Sequence, residues 1–110
     1  MARQRQGLLQ KEKQVRTKKK IAHPKQYAVI MHNDDYTPME FVVDILRLYF
    51  DKDLVEATAT MWKVHTEGWA VCGVYPKEIA ETRVEMVHEE AKKQGYPLRC
   101  SLRPEGRDDE

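Results

Sequence analysis

One hundred and ten residues, 41% hydrophobic and 34% charged, are enough for one small core with polar ends and too few for two. No apolar run approaches the ~20 residues of a membrane-spanning helix, the first ten residues lack the apolar stretch of a secretory signal, and two cysteines are too few for a disulfide scaffold. The expectation is a cytoplasmic chain with reduced thiols. Net charge of +1 conceals an asymmetry: residues 1–25 carry nine Lys/Arg and one Glu, whereas 26–110 carry ten Lys/Arg and seventeen Asp/Glu.

Taken in order, residues 1–25 show no sustained apolar period and read as a disordered basic extension, with a weak helix conceivable over Leu8–Val15. Such an arm is also what a phosphate anchor would look like, so a small nucleic-acid- or ribosome-associated module is the rival reading of the chain. A first strand spans 26–32, with Ala28, Ile30 and His32 on one face and Tyr27, Val29 and Met31 on the other. It stops at Asn33-Asp34-Asp35. Thr37 is placed as N-cap of a first helix, Pro38 at its first position and Glu40 as the partner of a capping box.

That helix presents Met39, Val42, Leu46, Tyr49 and Phe50 to a core. Asp53 and Glu56 repeat the capping spacing and open a second helix over about 54–67, with Thr58, Met61 and His65 on one face, Val64 adjoining, and Gly68 as its stop. Trp69–Tyr75 alternates as a strand, Ala70, Cys72 and Val74 facing opposite to Trp69, Val71, Gly73 and Tyr75. A third helix runs to about Gln94 with Ile79, Ala80, Arg83, Val84, Met86, Val87 and Ala91 along one side, until Gly95 ends it. Leu98–Arg103 alternates as a third strand, and 104–110 reads as a flexible charged tail. The order is β-α-α-β-α-β: an α/β (α+β) sandwich in which a small antiparallel or mixed sheet packs one face against helices one and three, with helix two across an edge near the first turn.

Two carboxylates and an amide within three residues, beside an apolar unit, suit a cation; an Asx-type turn facing water is the plainer alternative. Enzymatic chemistry finds little footing. No serine or cysteine lies near the acidic turn or His65 to act as nucleophile, the histidines and cysteines lack zinc spacing, and there is no glycine-rich phosphate loop. Neither catalysis nor a cofactor is expected.

The run Asn33-Asp34-Asp35-Tyr36-Thr37-Pro38-Met39-Glu40-Phe41-Val42 resembles the signature of the ClpS adaptor family. Further matches lie at Met61-Trp62-Lys63-Val64-His65, Cys72-Gly73-Val74-Tyr75, Ala80-Glu81-Thr82-Arg83-Val84 and Pro97-Leu98-Arg99-Cys100, so the likeness covers roughly 26–103 without gaps. It implies an adaptor, not an enzyme, that binds N-degron chains beginning with Leu, Phe, Tyr or Trp and hands them to a ClpA- or ClpC-type AAA+ unfoldase feeding ClpP. By the same resemblance Asn33, Asp34, Asp35 and His65 hold the free α-amino group, and Met31, Thr37, Met39, Val42, Met61, Val64 and Leu98 line a hydrophobic pocket. Glu78 and Arg83 match positions that dock on the N-terminal domain of the unfoldase, Arg83 standing where a Lys is familiar. A solvated acidic face is the alternative for that helix. A monomer with no nucleic-acid or membrane partner is expected, and the resemblance gives the basic extension a task in hand-over through its flexibility.

Overall fold

The computed structural model describes residues 25–105, so the expectations for the basic extension and for the charged tail beyond Glu105 lie outside the described residues. Within them the order is β1 (Gln26–His32), α1 (Met39–Tyr49), α2 (Leu54–Glu67), β2 (Trp69–Pro76), α3 (Lys77–Gln94) and β3 (Arg99–Pro104). The sheet is wholly antiparallel with β1 in the centre, in the order β2-β1-β3.

A central strand has no edge to water, and β1 is buried on both faces. Val29 and Met31 enter the core with Val42, Ile45, Leu46, Ala57, Met61, Val64 and Val87. Ala28 and Ile30, 0% and 6% exposed, sit on the opposite face beside Val74 and Arg103, and Val71 and Ser101. On that face the Arg103 guanidinium lies 5.9 Å over the Trp69 ring, and His32 Nε2 is 2.7 Å from Ser101 Oγ. Long side chains, not a second layer of helices, cover it.

The helical layer differs in detail from the expected one. α3 lies along all three strands, α2 packs on α1 and the edge strand β2, and α1 rests mainly on α2 and α3. On α1, Ile45 is buried at 1% exposure, whereas Met39 is 39% exposed at the start of the helix. Ile79, expected on the core side of α3, is exposed; Ala80, Val87 and Ala91 are the buried positions there.

The alternation expected of β2 fails at one point. Val29 pairs with Gly73 but Ile30 with Val71, leaving Cys72 as the extra residue of a β-bulge. Ala70 and Cys72 stay inside, and beyond the bulge the facing reverses: Tyr75 packs on the core against Phe50 and Val74 turns to solvent. Gly73 is what lets Tyr75 fold back, since a Cβ there would stand 2.5 Å from the phenol oxygen and 2.7 Å from the ring. Burial raises the Tyr75 phenol above its ordinary pKa, against the lowering pull of Arg83. Cys72 and Cys100 are both buried and free, as small core residues. The Cys100 thiol is held protonated by its hydrogen bond to Cys72 and by burial.

Candidate functional site

The acidic turn is organised by Asp34. Its Oδ1 accepts from the backbone N–H groups of Tyr36 and Thr37, each at 2.8 Å, and the Thr37 hydroxyl donates to the same carboxylate, 2.9 Å from Oδ1 and 2.7 Å from Oδ2. This is the Asx-type turn set out above, and it changes the capping arrangement. Thr37 Oγ1 faces back to Asp34 and is not the N-cap; Pro38 is, with φ −64° and ψ 145° and no side-chain cap. Its carbonyl accepts from Phe41 and Val42 N–H at 3.1 and 3.2 Å. The capping box with Glu40 does not form. Asp53 does cap α2, accepting from the Glu56 N–H at 2.8 Å.

The turn is also tied to the far end of α2. Gly68, at φ 92°, closes that helix by donating its N–H to the Val64 carbonyl, and its own carbonyl accepts the Asn33 N–H at 2.9 Å. Only glycine adopts this left-handed conformation freely. The closure carries His65, in the last turn of α2, to the side of the acidic loop.

Between them is a cavity of about 350 Å³ lined by Asn33 through Met39 together with Val42, Met61, Val64 and His65. Its floor is apolar: Val42, Met61 and Val64 are 7%, 6% and 3% exposed. Its mouth is polar, with Asn33, Asp35, Tyr36 and His65 all exposed. No lysine or arginine lines it, so the charge of Asp34 and Asp35 is not neutralised there. Among the described residues, the Asn33 amide, the Asp35 carboxylate and the His65 imidazole have no hydrogen bond or ion pair.

Every residue that the resemblance assigned to amine or pocket lines this cavity except two. Met31 and Leu98, 0% and 4% exposed, belong to the core cluster that backs Val42, Met61 and Val64 and do not line it. Tyr36 and Pro38 line it without having been singled out. Their signal was available in the motif itself, because a turn tight enough to bring Asp35 and Thr37 to one cavity carries the residues between and after them along.

On α3, Glu78 is exposed in the first turn, while Arg83 is committed inward. Arg83 Nη1 donates to the Tyr49 carbonyl at 2.6 Å, the guanidinium stacks 5.1 Å over the Tyr75 ring, and Asp51 Oδ2 lies 4.0 Å away. It therefore satisfies a carbonyl left open at the end of α1.

The cavity offers acceptors and an apolar hole, and its lining includes no hydroxyl-bearing serine, no thiol and no phosphate cradle. Among the described residues no His, Cys, Asp and Glu cluster of three or more is arranged for a metal ion. None of the described helices is long and apolar enough to cross a membrane.

Comparison with known proteins bears on the same residues. The family model described as the ATP-dependent Clp protease adaptor protein ClpS matches residues 22–101. The ATP-dependent Clp protease adapter protein ClpS of Leptospira biflexa is 53% identical over 98 residues, 89% of this chain and 84% of that protein. Its counterpart from Herminiimonas arsenicoxydans is 54% identical over 88 residues, covering 80% of this chain and 86% of that one. Among solved structures, Agrobacterium tumefaciens ClpS2 bound to L-phenylalaninamide superposes with a TM-score of 0.73 at 37% identity, covering 76% of this chain and all of that one.

Proposed function

The chain belongs to the ClpS family of ATP-dependent Clp protease adaptors, a family of adaptors and not of enzymes, and from that premise we propose that its cavity captures the free amino end of another polypeptide. The ligand is a chain whose first residue is Leu, Phe, Tyr or Trp. Asn33, Asp35 and His65 receive its α-ammonium, and the hole over Val42, Met61 and Val64 receives the first side chain. The observation that carries this reading is the coincidence of three acceptors without protein partners with an apolar floor. An ammonium has three N–H donors and no acceptor, so converging acceptors, one of them an ionised carboxylate, are its complement. A relative whose structure is bound to L-phenylalaninamide, which has a free amine on a benzyl-bearing carbon, supports the same chemistry.

The magnitudes require both halves. Burying one large apolar side chain contributes ~1.5–3 kcal/mol and a hydrogen bond to a charged group ~1.5–3, while micromolar affinity needs ~8. The side chain alone falls short, and three such hydrogen bonds, ~4.5–9 kcal/mol gross, reach that figure only at their upper limit, before the freedom lost on association is subtracted. Asp34 acts differently from its neighbours: its oxygens hold the turn, so it adds negative charge while Asp35 makes the contact. Thr37 and Met39 form the near wall, and Met31 and Leu98 support the floor from behind. Met39, at the rim, crowds a ligand branched at Cβ and so disfavours Val and Ile.

Delivery is the second half of the proposal. The exposed side of α3 around Glu78, with Arg83 holding that helix to α1, docks on the N-terminal domain of a ClpA- or ClpC-type unfoldase, which passes the substrate to ClpP in the cytoplasm. Peptides differing only in the first residue, presented to the full chain, test recognition; binding confined to Leu, Phe, Tyr and Trp is expected, and indifference to the first residue would refute it. Reconstituted degradation of a Phe-initiated substrate by unfoldase and peptidase tests delivery, with a Glu78→Lys variant expected to bind peptide normally and to deliver it poorly.

A further inference from the structure

Two of the three histidines among the described residues are fixed by hydrogen bonds. His32 Nε2 meets the Ser101 hydroxyl, and His88 Nε2 accepts the Cys100 N–H at 3.0 Å. His65 has no such bond, yet the reading above needs one of its nitrogens at a definite place. An exposed imidazole on a helix is free to change rotamer, and ordering it at the moment of binding opposes affinity.

One contact supplies the missing constraint. The Trp62 indole, one helical turn before His65, meets the imidazole edge-on, with ring centroids 5.7 Å apart and planes at 76°. Burial of Met61 and Val64 fixes the rotation of α2, so Trp62 and His65 emerge together beside the cavity. Trp62 is not itself part of the lining. It is 48% exposed on a helix whose core side is already filled by Ala57, Met61 and Val64, and its aromatic contact is with His65.

We propose that Trp62 is a positioning residue for ligand binding: its indole holds the His65 imidazole in the rotamer that turns a ring nitrogen to the amine notch. The inference rests on the amine-binding reading. It deepens that reading by assigning the order of the notch to a side chain outside it.

The test is a double-mutant cycle on the full chain, read by anisotropy of a fluorescent Phe-initiated peptide. Trp62→Leu keeps an apolar side chain but not the ring and is expected to weaken binding about 2- to 10-fold, the range of an aromatic pair, with at most a small drop in melting temperature. Trp62→Phe should restore most of the affinity. In a His65→Gln background the Trp62→Leu change should have no further effect. In the free protein, the His65 ring-proton resonances should carry an indole ring-current shift that Trp62→Leu removes. Wild-type affinity for Trp62→Leu, or an equal loss with and without His65, would overturn the proposal. If the wild-type chain fails to bind the peptide at all, it is the amine-binding reading that falls; the positioning claim is then decided by those resonances, and their indifference to Trp62→Leu would overturn it.

Discussion

The two ends of α1 are built from similar materials and finished in opposite ways. At the C-terminal end a carbonyl, a guanidinium, a carboxylate and an aromatic ring close on one another: Tyr49, Arg83, Asp51 and Tyr75. At the N-terminal end Asp34 closes the turn, and then Asn33, Asp35 and His65 are left facing a hole. Polar groups that have found protein partners stabilise the fold, and those without them are available to a ligand. The contrast assigns roles to residues of the same chemical type: Asp34 holds the loop and Asp35 is free, His88 holds a strand edge and His65 is free.

Variants that separate binding from stability are the way to break this contrast. The largest effect is expected from Asp35→Ala or His65→Ala, which should abolish peptide binding in anisotropy and move the thermal melt little, because neither side chain has a protein hydrogen bond to lose and His65 gives up only its ring contact with Trp62. Asp34→Ala should lower both binding and stability. Removing the acceptor of two backbone N–H groups and a hydroxyl costs about 1–3 kcal/mol of stability, read by urea denaturation, and the loosened turn binds weakly. At the other end, Arg83→Ala should lower stability by about 1–3 kcal/mol through the orphaned Tyr49 carbonyl, with the exposed Asp51 pair adding little, and should leave peptide affinity as it was. Loss of binding in that variant would mean the two ends are coupled and the contrast too simple.

The smallest change sharpens the near wall. Met39→Ala should relax the choice of first residue so that Val- and Ile-initiated peptides bind, with Leu and Phe affected by only a few fold. An unchanged preference across a peptide set would remove the steric role given to Met39.

What could be read from the chain beforehand follows the range of the interaction. β1 and α2 were legible to the residue because local signals bound them: an apolar run ended by Asn33-Asp34-Asp35, and a span from the Asp53 cap to Gly68. The end of α3 at Gly95 was legible for the same reason. The start of α1 was misplaced by one residue because the Thr37 hydroxyl has two local partners, and the carboxylate of Asp34 outcompetes the helix N–H groups. Gly73 inside Trp69–Tyr75 is the one local hint of a bulge, but it does not say that Cys72 is the extra residue, so the reversal that puts Tyr75 inside and Val74 outside was hidden.

Arg83 reaches Tyr49 across 34 positions, and no pattern within α3 signals that contact. The residues gathered around the cavity were legible through the resemblance of the Asn33–Val42 run and the Met61–His65 block and not through periodicity, which could place Asn33, Asp35 and His65 near the ends of elements but not opposite one another. Depth was the other blind spot. Met31 lies two residues before the acidic turn and Leu98 in a family-like block of its own, yet β1 carries the first and the entry to β3 the second into the core behind the lining.

The claim that the unpartnered acceptors read a free amino terminus meets its most direct test in one pair of titrations. Two peptides of identical sequence beginning with Phe, one with a free and one with an acetylated α-amine, are titrated with the full-length chain. The account predicts that the free peptide binds and that acetylation, which removes the charge and two of three donors, reduces affinity at least a hundredfold, about 2.7 kcal/mol. Equal binding of the two would contradict it.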